Sequence, residues 1–221
     1  MRPLASGLMP MALATSMSVI IPTGLSSSYS QIKRQAVRWD AFKSMAFGLV
    51  LGVCLGIFVV SKIENNTLRL VFSFGLFAMA ALIYFKKETN RTHPLMLKYF
   101  ISTPIAFGIG VLATMLGIGG AILNIPYLNR AGIPLRNAIA TSSVLGVVVA
   151  VPAVIGFIVT GLSQGHPLLH FNLLAWIIIA PLSVLMAPLG VKASHALPAQ
   201  RLKLLLAGML VCIATRMFFE T

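Results

Sequence analysis

Residues 115–128 read MLGIGGAILNIPYL, and they place Gly117, Gly119 and Gly120 within four positions of an otherwise apolar run. Glycines at that density let the backbone turn where a side chain would obstruct it. A helix that restarts after such a turn exposes unpaired N–H groups and the positive end of its dipole, the arrangement that binds an anion. Asn124 follows within the first turn of the restarted segment. Thr141, Ser142 and Ser143 lie in the next apolar run, and Thr15 and Ser16 form a similar pair near the start of the chain. All of these are neutral donors. Together they suit a small oxyanion, which they could hold without an uncompensated buried cation. Each also has a structural use. Glycines serve close helix packing, and hydroxyls bond back to their own helix. Asn124 is read equally well as a ligand donor or as a cap or bridge between helices.

Other chemistries find little support. Cys54 and Cys212 stand singly in apolar runs, without metal or redox spacing. His93, His166, His170 and His195 are expected in loops and lack metal-site spacing. No metal site and no cofactor are expected. No nucleophile–base pair or paired carboxylates suggest an enzyme. Gly117–Gly120 lacks the full dinucleotide-binding pattern and the strand that should precede it.

The elements that must position these donors follow from composition. The chain has 221 residues, of which 58% are hydrophobic and 10% charged, and its mean hydropathy is +0.94. One soluble core cannot hide so much apolar surface, so lipid is the expected solvent. Seven apolar blocks stand out, near 8–28, 41–61, 68–85, 99–129, 133–162, 171–190 and 202–219. The fold class implied is all-α, a polytopic membrane protein. The net charge of +13 sits in the gaps between blocks, as loops facing anionic lipid require. Without an aromatic-interleaved basic stripe, nucleic acid is excluded as a partner. The partners expected are membrane lipid and a small anionic substrate. Gly48, Gly52 and Gly56 form a doubled GxxxG, read as a close helix contact.

Residues 99–129 hold 31 uncharged positions, too many for one span of about 20 and too few for two. If this block crosses once, the 17 basic residues divide eight to nine between the two faces. If it is a re-entrant hairpin broken at the glycines, they divide four to thirteen. The positive-inside rule expects the second distribution. The hairpin is therefore the reading adopted, with the basic face cytoplasmic and both termini outside.

Ala14-Thr15-Ser16 recurs as Ala140-Thr141-Ser142, and each is followed by similar runs. This predicts an internal repeat, residues 1–90 and 91–221, with the copies inverted as in many secondary transporters. The glycine-broken segment precedes only the second copy, so the first is read as incomplete. A second copy of the chain, as a homo-oligomer, could complete the pocket.

The stretch LGIGGAILNIPYLNRAGIPLRNAIATSS resembles the TauE/SafE family, the sulfite exporter or sulfonate-uptake permease family. There a glycine-rich segment and a proline lead into Ala-x-Ala-Thr-Ser, twice. The second copy is matched by Gly117, Gly119, Gly120, Pro126, Pro134, Ala138, Ala140, Thr141 and Ser142, the first only by Ala12, Ala14, Thr15 and Ser16. The resemblance implies a multi-pass transporter of the bacterial inner membrane that carries sulfite, sulfonates or related anions between two repeats. The competing expectation is a non-transporting membrane scaffold or partner subunit, suggested by the incomplete copy and the glycine stripe.

Overall fold

The computed structural model describes residues 8–63, 99–163 and 172–198, with isolated helical positions at 67, 74, 75, 200, 204, 208, 211, 212 and 215. The blocks expected at 68–85 and 202–219 lie outside the described residues apart from those positions. So do His93, His166 and His170. The elements are α1 (Leu8–Lys33), α2 (Trp39–Lys62), α3 (Tyr99–Leu116), α4 (Ala121–Arg130), α5 (Leu135–Ser163) and α6 (Leu173–Ala196). No strand occurs among the described residues.

Among the described residues, three helices are long and apolar enough to cross a membrane: Trp39–Lys62, Leu135–Thr160 and Leu173–Ala196. At 1.5 Å per residue, 24 residues reach about 36 Å, beyond the ~30 Å hydrocarbon core. α1 has the length, 26 residues, but serines and threonines keep it out of the apolar class. It packs between α5 and α6, and most of its buried hydroxyls are engaged, Ser28 Oγ being the exception. Ser18 and Thr23 bond to Thr15 O and Val19 O at 2.6 and 2.8 Å. Ser26 reaches Val184 O on α6 at 3.1 Å, and Ser27 meets Ser143 on α5 at 3.4 Å.

The tightest packing is between α2 and α3, and the glycine stripe makes it. A Cβ on Gly48 would strike Thr103 O, one on Gly52 would strike Phe107 O, and one on Gly56 would lie 2.8 Å from Thr114 Cβ. Lipid tails are as apolar as leucine, so in a bilayer the close fit itself, rather than escape from water, holds two helices together. The stripe is thus used inside the chain, and its register shows that α2 and α3 run in the same direction.

The remaining directions follow from paired contacts. α5 runs with α2, because Arg38 N–H donates to Thr141 Oγ1 at 2.9 Å and Ile57 packs on Gly156. α1 runs against α5, with Gly24 facing Val147 and Asn137 Nδ2 donating to Ala36 O at 2.8 Å. α6 runs with α1, through Thr15 to Asn172 at one end and Gln31 to His195 at the other. Ala121 lies against Gly146 of α5, while Arg130 is joined to Leu135 by a short loop. α4 therefore runs against α5, and so against α3. The chain reverses at residues 117–120.

This arrangement gathers one sign of charge. Lys33, Arg34, Arg38, Lys43, Arg130, Arg136 and Lys192 lie toward the end where α1, α4 and α6 finish and α2 and α5 begin. Among the described basic residues, Lys62 alone lies at the opposite end.

Candidate functional site

The reversal is built by glycine chemistry. Gly117, Gly119 and Gly120 have φ of 61°, 62° and 70°, a left-handed region that costs a residue with a Cβ roughly 1–2 kcal/mol. α3 closes with Ile118 N–H on Ala113 O and Gly117 N–H on Thr114 O, both at 3.3 Å. These are the two bonds of a Schellman cap, with Gly117 in the position that requires αL. The carbonyls at the end of α3 are thereby served.

The start of α4 is different. Its first intrahelical bond runs from Asn124 N–H to Gly120 O at 2.9 Å. Ala121, Ile122 and Leu123 precede it, so their N–H groups have no intrahelical acceptor, and Gly120 as N-cap brings no side chain to supply one. The macrodipole adds a positive field at the same place. Gly117, Gly119 and Gly120 are all buried. Nearest to them lie Leu13 and Ile20 from α1, Ala113 from α3, Asn124 from α4, and Gly146 and Val149 from α5.

Asn124 and Ser142 stand out against this background. Both are 0% exposed, and Asn124 Nδ2, Asn124 Oδ1 and Ser142 Oγ make no hydrogen bond. Buried polar groups are nearly always paired, so three such atoms need a reason. Helical side chains lean toward the N-terminus of their helix. The Asn124 amide does so, with Nδ2 3.6 Å from where a Gly120 Cβ would sit. Ala121 opposes Gly146, so three residues on along α4 and four back along α5 bring Asn124 and Ser142 to one level.

The other expected donors are placed less uniformly. Ser16 Oγ donates to Gly117 O at 2.9 Å and so braces the turn directly. Thr141 and Ser143 give their hydroxyl hydrogens to Asn137 O and Ile139 O of their own helix, at 2.8 and 3.0 Å. Ser142 between them does not. Thr15 Oγ1 accepts the N–H of Asn172, the N-cap of α6, at 2.9 Å. Thr141 Oγ1 likewise accepts the N–H of Arg38, the N-cap of α2. α1 and α5 are antiparallel, so these two contacts lie at opposite ends of the bundle. Thr15 and Thr141 do not converge on one point. Sequence reasoning missed Ile20, Gly146 and Val149, whose signal is only their small or apolar type. It also placed His195 in a loop. His195 lies in the last turn of α6, where its Nε2 is 2.9 Å from Gln31 Oε1, an atom of a fully buried side chain on α1.

The comparison with known proteins fits this architecture. The model of the family described as sulfite exporter TauE/SafE matches residues 3–217. The chain belongs to the TauE/SafE family. A probable membrane transporter protein of Haemophilus influenzae is 26% identical over 219 residues, covering 96% of this chain and 82% of the relative. The probable membrane transporter protein YunE of Bacillus subtilis is 22% identical over 95% of this chain and 81% of its own length. A third relative, the probable membrane transporter protein MJ0441 of Methanocaldococcus jannaschii, is 24% identical over 90% of this chain and 75% of its own. No solved structure matches. This TauE/SafE chain is a multi-pass membrane protein of a transporter family.

Proposed function

We propose that the chain carries a small anion, sulfite, a sulfonate or a related sulfur oxyanion, across the bacterial inner membrane. The anion is held where α3 stops and α4 begins. The observation that carries this reading is a helix head whose first N–H groups have no intrahelical acceptor, together with two fully buried side chains without partners, the Asn124 amide and the Ser142 hydroxyl. Irregular backbone within a membrane is tolerated where it lines a cavity or is packed in protein, and here it faces a polar cluster. Gly117, Gly119 and Gly120 form the turn, and Ser16 holds it. Thr15, Thr141 and Ser143 support the frame, with their hydroxyls engaged on other helices or on their own.

The reversal at 117–120 and the concentration of basic residues at one end support a re-entrant hairpin whose mouth faces the cytoplasm. An inverted repeat is supported by the crossed contacts. The threonine of each Ala-Thr-Ser holds the first N–H of the second helix of the other half, and the two halves run oppositely. With Gly48, Gly52 and Gly56 occupied by α3, the stripe offers no support to the scaffold alternative.

The reading is tested with the purified chain in liposomes. Labelled sulfite should enter faster than into protein-free vesicles. Gly120→Val should remove that flux while the protein still inserts, because its Cβ would lie 3.3 Å from both Ala113 Cβ and Val149 Cγ2 in a backbone region valine avoids. Undiminished flux through Gly120→Val would count against the site.

A further inference from the structure

We infer that the species bound at the head of α4 is a singly protonated oxyanion, and that Asn124 selects it. This rests on the reading above, and two independent features lead to it.

The first is the chemistry of Asn124. An amide is half donor and half acceptor. Whichever way the group is turned, one of its ends is a carbonyl oxygen, and neither end has a partner. A fully deprotonated oxyanion offers acceptors only. It can take the Nδ2 hydrogens, the α4 N–H groups and the Ser142 hydrogen, but it leaves the Asn124 carbonyl buried and bare. An oxyanion with one O–H satisfies both ends of the amide at once. Sites built to bond a ligand hydroxyl discriminate strongly against analogues that lack it, because the site's own polar group is then left unpaired.

The second feature is charge. The side chains nearest the three glycines carry no charge: Leu13, Ile20, Ala113, Gly146 and Val149 are apolar or small, and Asn124 is neutral. On α4 the basic residue is Arg130, nine residues from Ala121 and so about 14 Å along the axis, and it is exposed. On α5 it is Arg136, which is exposed at the same end. Burial of a second negative charge with only neutral donors to meet it is far costlier than burial of one. Protonation of the cargo removes that charge before it enters. A cargo that brings its own proton also needs no carboxylate relay in the protein.

The test compares two probes in liposomes bearing the full chain. Sulfite changes between hydrogen sulfite and the dianion near neutral pH. Methanesulfonate keeps the same single charge and has no proton at any working pH. At fixed total sulfite, the protein-dependent rate should follow the hydrogen sulfite fraction, falling about ten-fold per pH unit on the alkaline side. Methanesulfonate should be carried at least about ten-fold more slowly at every pH, for want of the O–H. Asn124→Leu, similar in volume, should narrow the gap between the two probes. Asn124→Asp keeps the shape but loses the donor and should stop hydrogen sulfite at neutral pH. A melting curve for each variant shows that it is folded.

The phenolic and basic side chains on the elements packed at the turn are Tyr127 and Arg130 on α4, Arg136 on α5, and Tyr29 and Lys33 on α1, with Arg34 just beyond it. The imidazole among the described residues is His195, against Gln31 of α1, and His195→Gln must leave the profile in place. A sulfite rate that is flat or rises with pH overturns the inference, as does methanesulfonate carried as fast as hydrogen sulfite. Either result leaves anion transport standing. Absence of flux with both probes overturns the transport reading itself, and the inference with it.

Discussion

Gly52→Ala should loosen the α2–α3 contact and lower the stability of the protein, although alanine is the better helix former. Its new Cβ would strike Phe107 O and lie 2.9 Å from Phe107 C and 3.1 Å from Gly110 Cα. All three neighbours are backbone, so no rotamer change relieves them, and α3 must shift bodily by several tenths of an ångström. Overpacking of this kind costs about 1–3 kcal/mol. The gain in helix propensity offsets about 1 kcal/mol of it. A net loss of up to about 2 kcal/mol corresponds to a melting temperature lower by up to about 8 °C for a chain of this size. Gly108→Ala is the internal control, since a Cβ there meets no described atom within 4 Å. It should be neutral or raise the melting point slightly. Thermal unfolding in detergent, followed by monodisperse recovery from size exclusion, reads both variants. If Gly52→Ala melts at or above Gly108→Ala, the glycine stripe is not what seats α3, and the account of how the turn is held in place fails.

Thr15→Val and Thr141→Val each remove the acceptor for an N-cap N–H of a distant helix, and each should cost about 1 kcal/mol. Their effects should add in the double variant, because the two contacts lie at opposite ends of the bundle. A melting series measures this, and strong non-additivity would contradict the geometry. Gln31→Leu removes the partner of His195 and should lower the melting point by a few degrees, about 1 kcal/mol. No change would mean that the α1–α6 contact does not depend on that bond. Single cysteines at Arg130 and Arg136, in a background without Cys54 and Cys212, should react with an impermeant maleimide added from the cytoplasmic side. Labelling from the opposite side would remove the hairpin.

How far the sequence reaches can be judged at particular residues. Apolar block lengths are set by the thickness of lipid, a one-dimensional constraint, so α2 and α5 begin and end within two residues of their expected limits, while α6 runs six residues past its expected end. The break in block four was legible for a similar reason. Left-handed backbone is tolerated by glycine and few others, so Gly117, Gly119 and Gly120 announce it locally. Charge placement was equally readable, because loops must meet a membrane surface of one sign. The status of α1 was less so. In the sequence it is an apolar block like the others, near 8–28, and only the packing shows that Ser26 meets α6 and Ser27 meets α5.

What the sequence by itself determined is the helices it shares with the described structure, the place where α3 stops, and the residue types at that break. Those follow from propensity, lipid thickness and backbone sterics, which act between near neighbours in the chain. Only the tertiary structure decided which hydroxyls are spent and which are free. Thr141, Ser142 and Ser143 are adjacent and chemically alike. Yet Thr141 accepts from Arg38, 103 residues away, Ser143 meets Ser27, 116 residues away, and Ser142 meets nothing. Which of the three faces another helix depends on how α1, α2 and α5 are packed together. No local pattern encodes that choice, because the competing partners are near in energy and far apart in the chain.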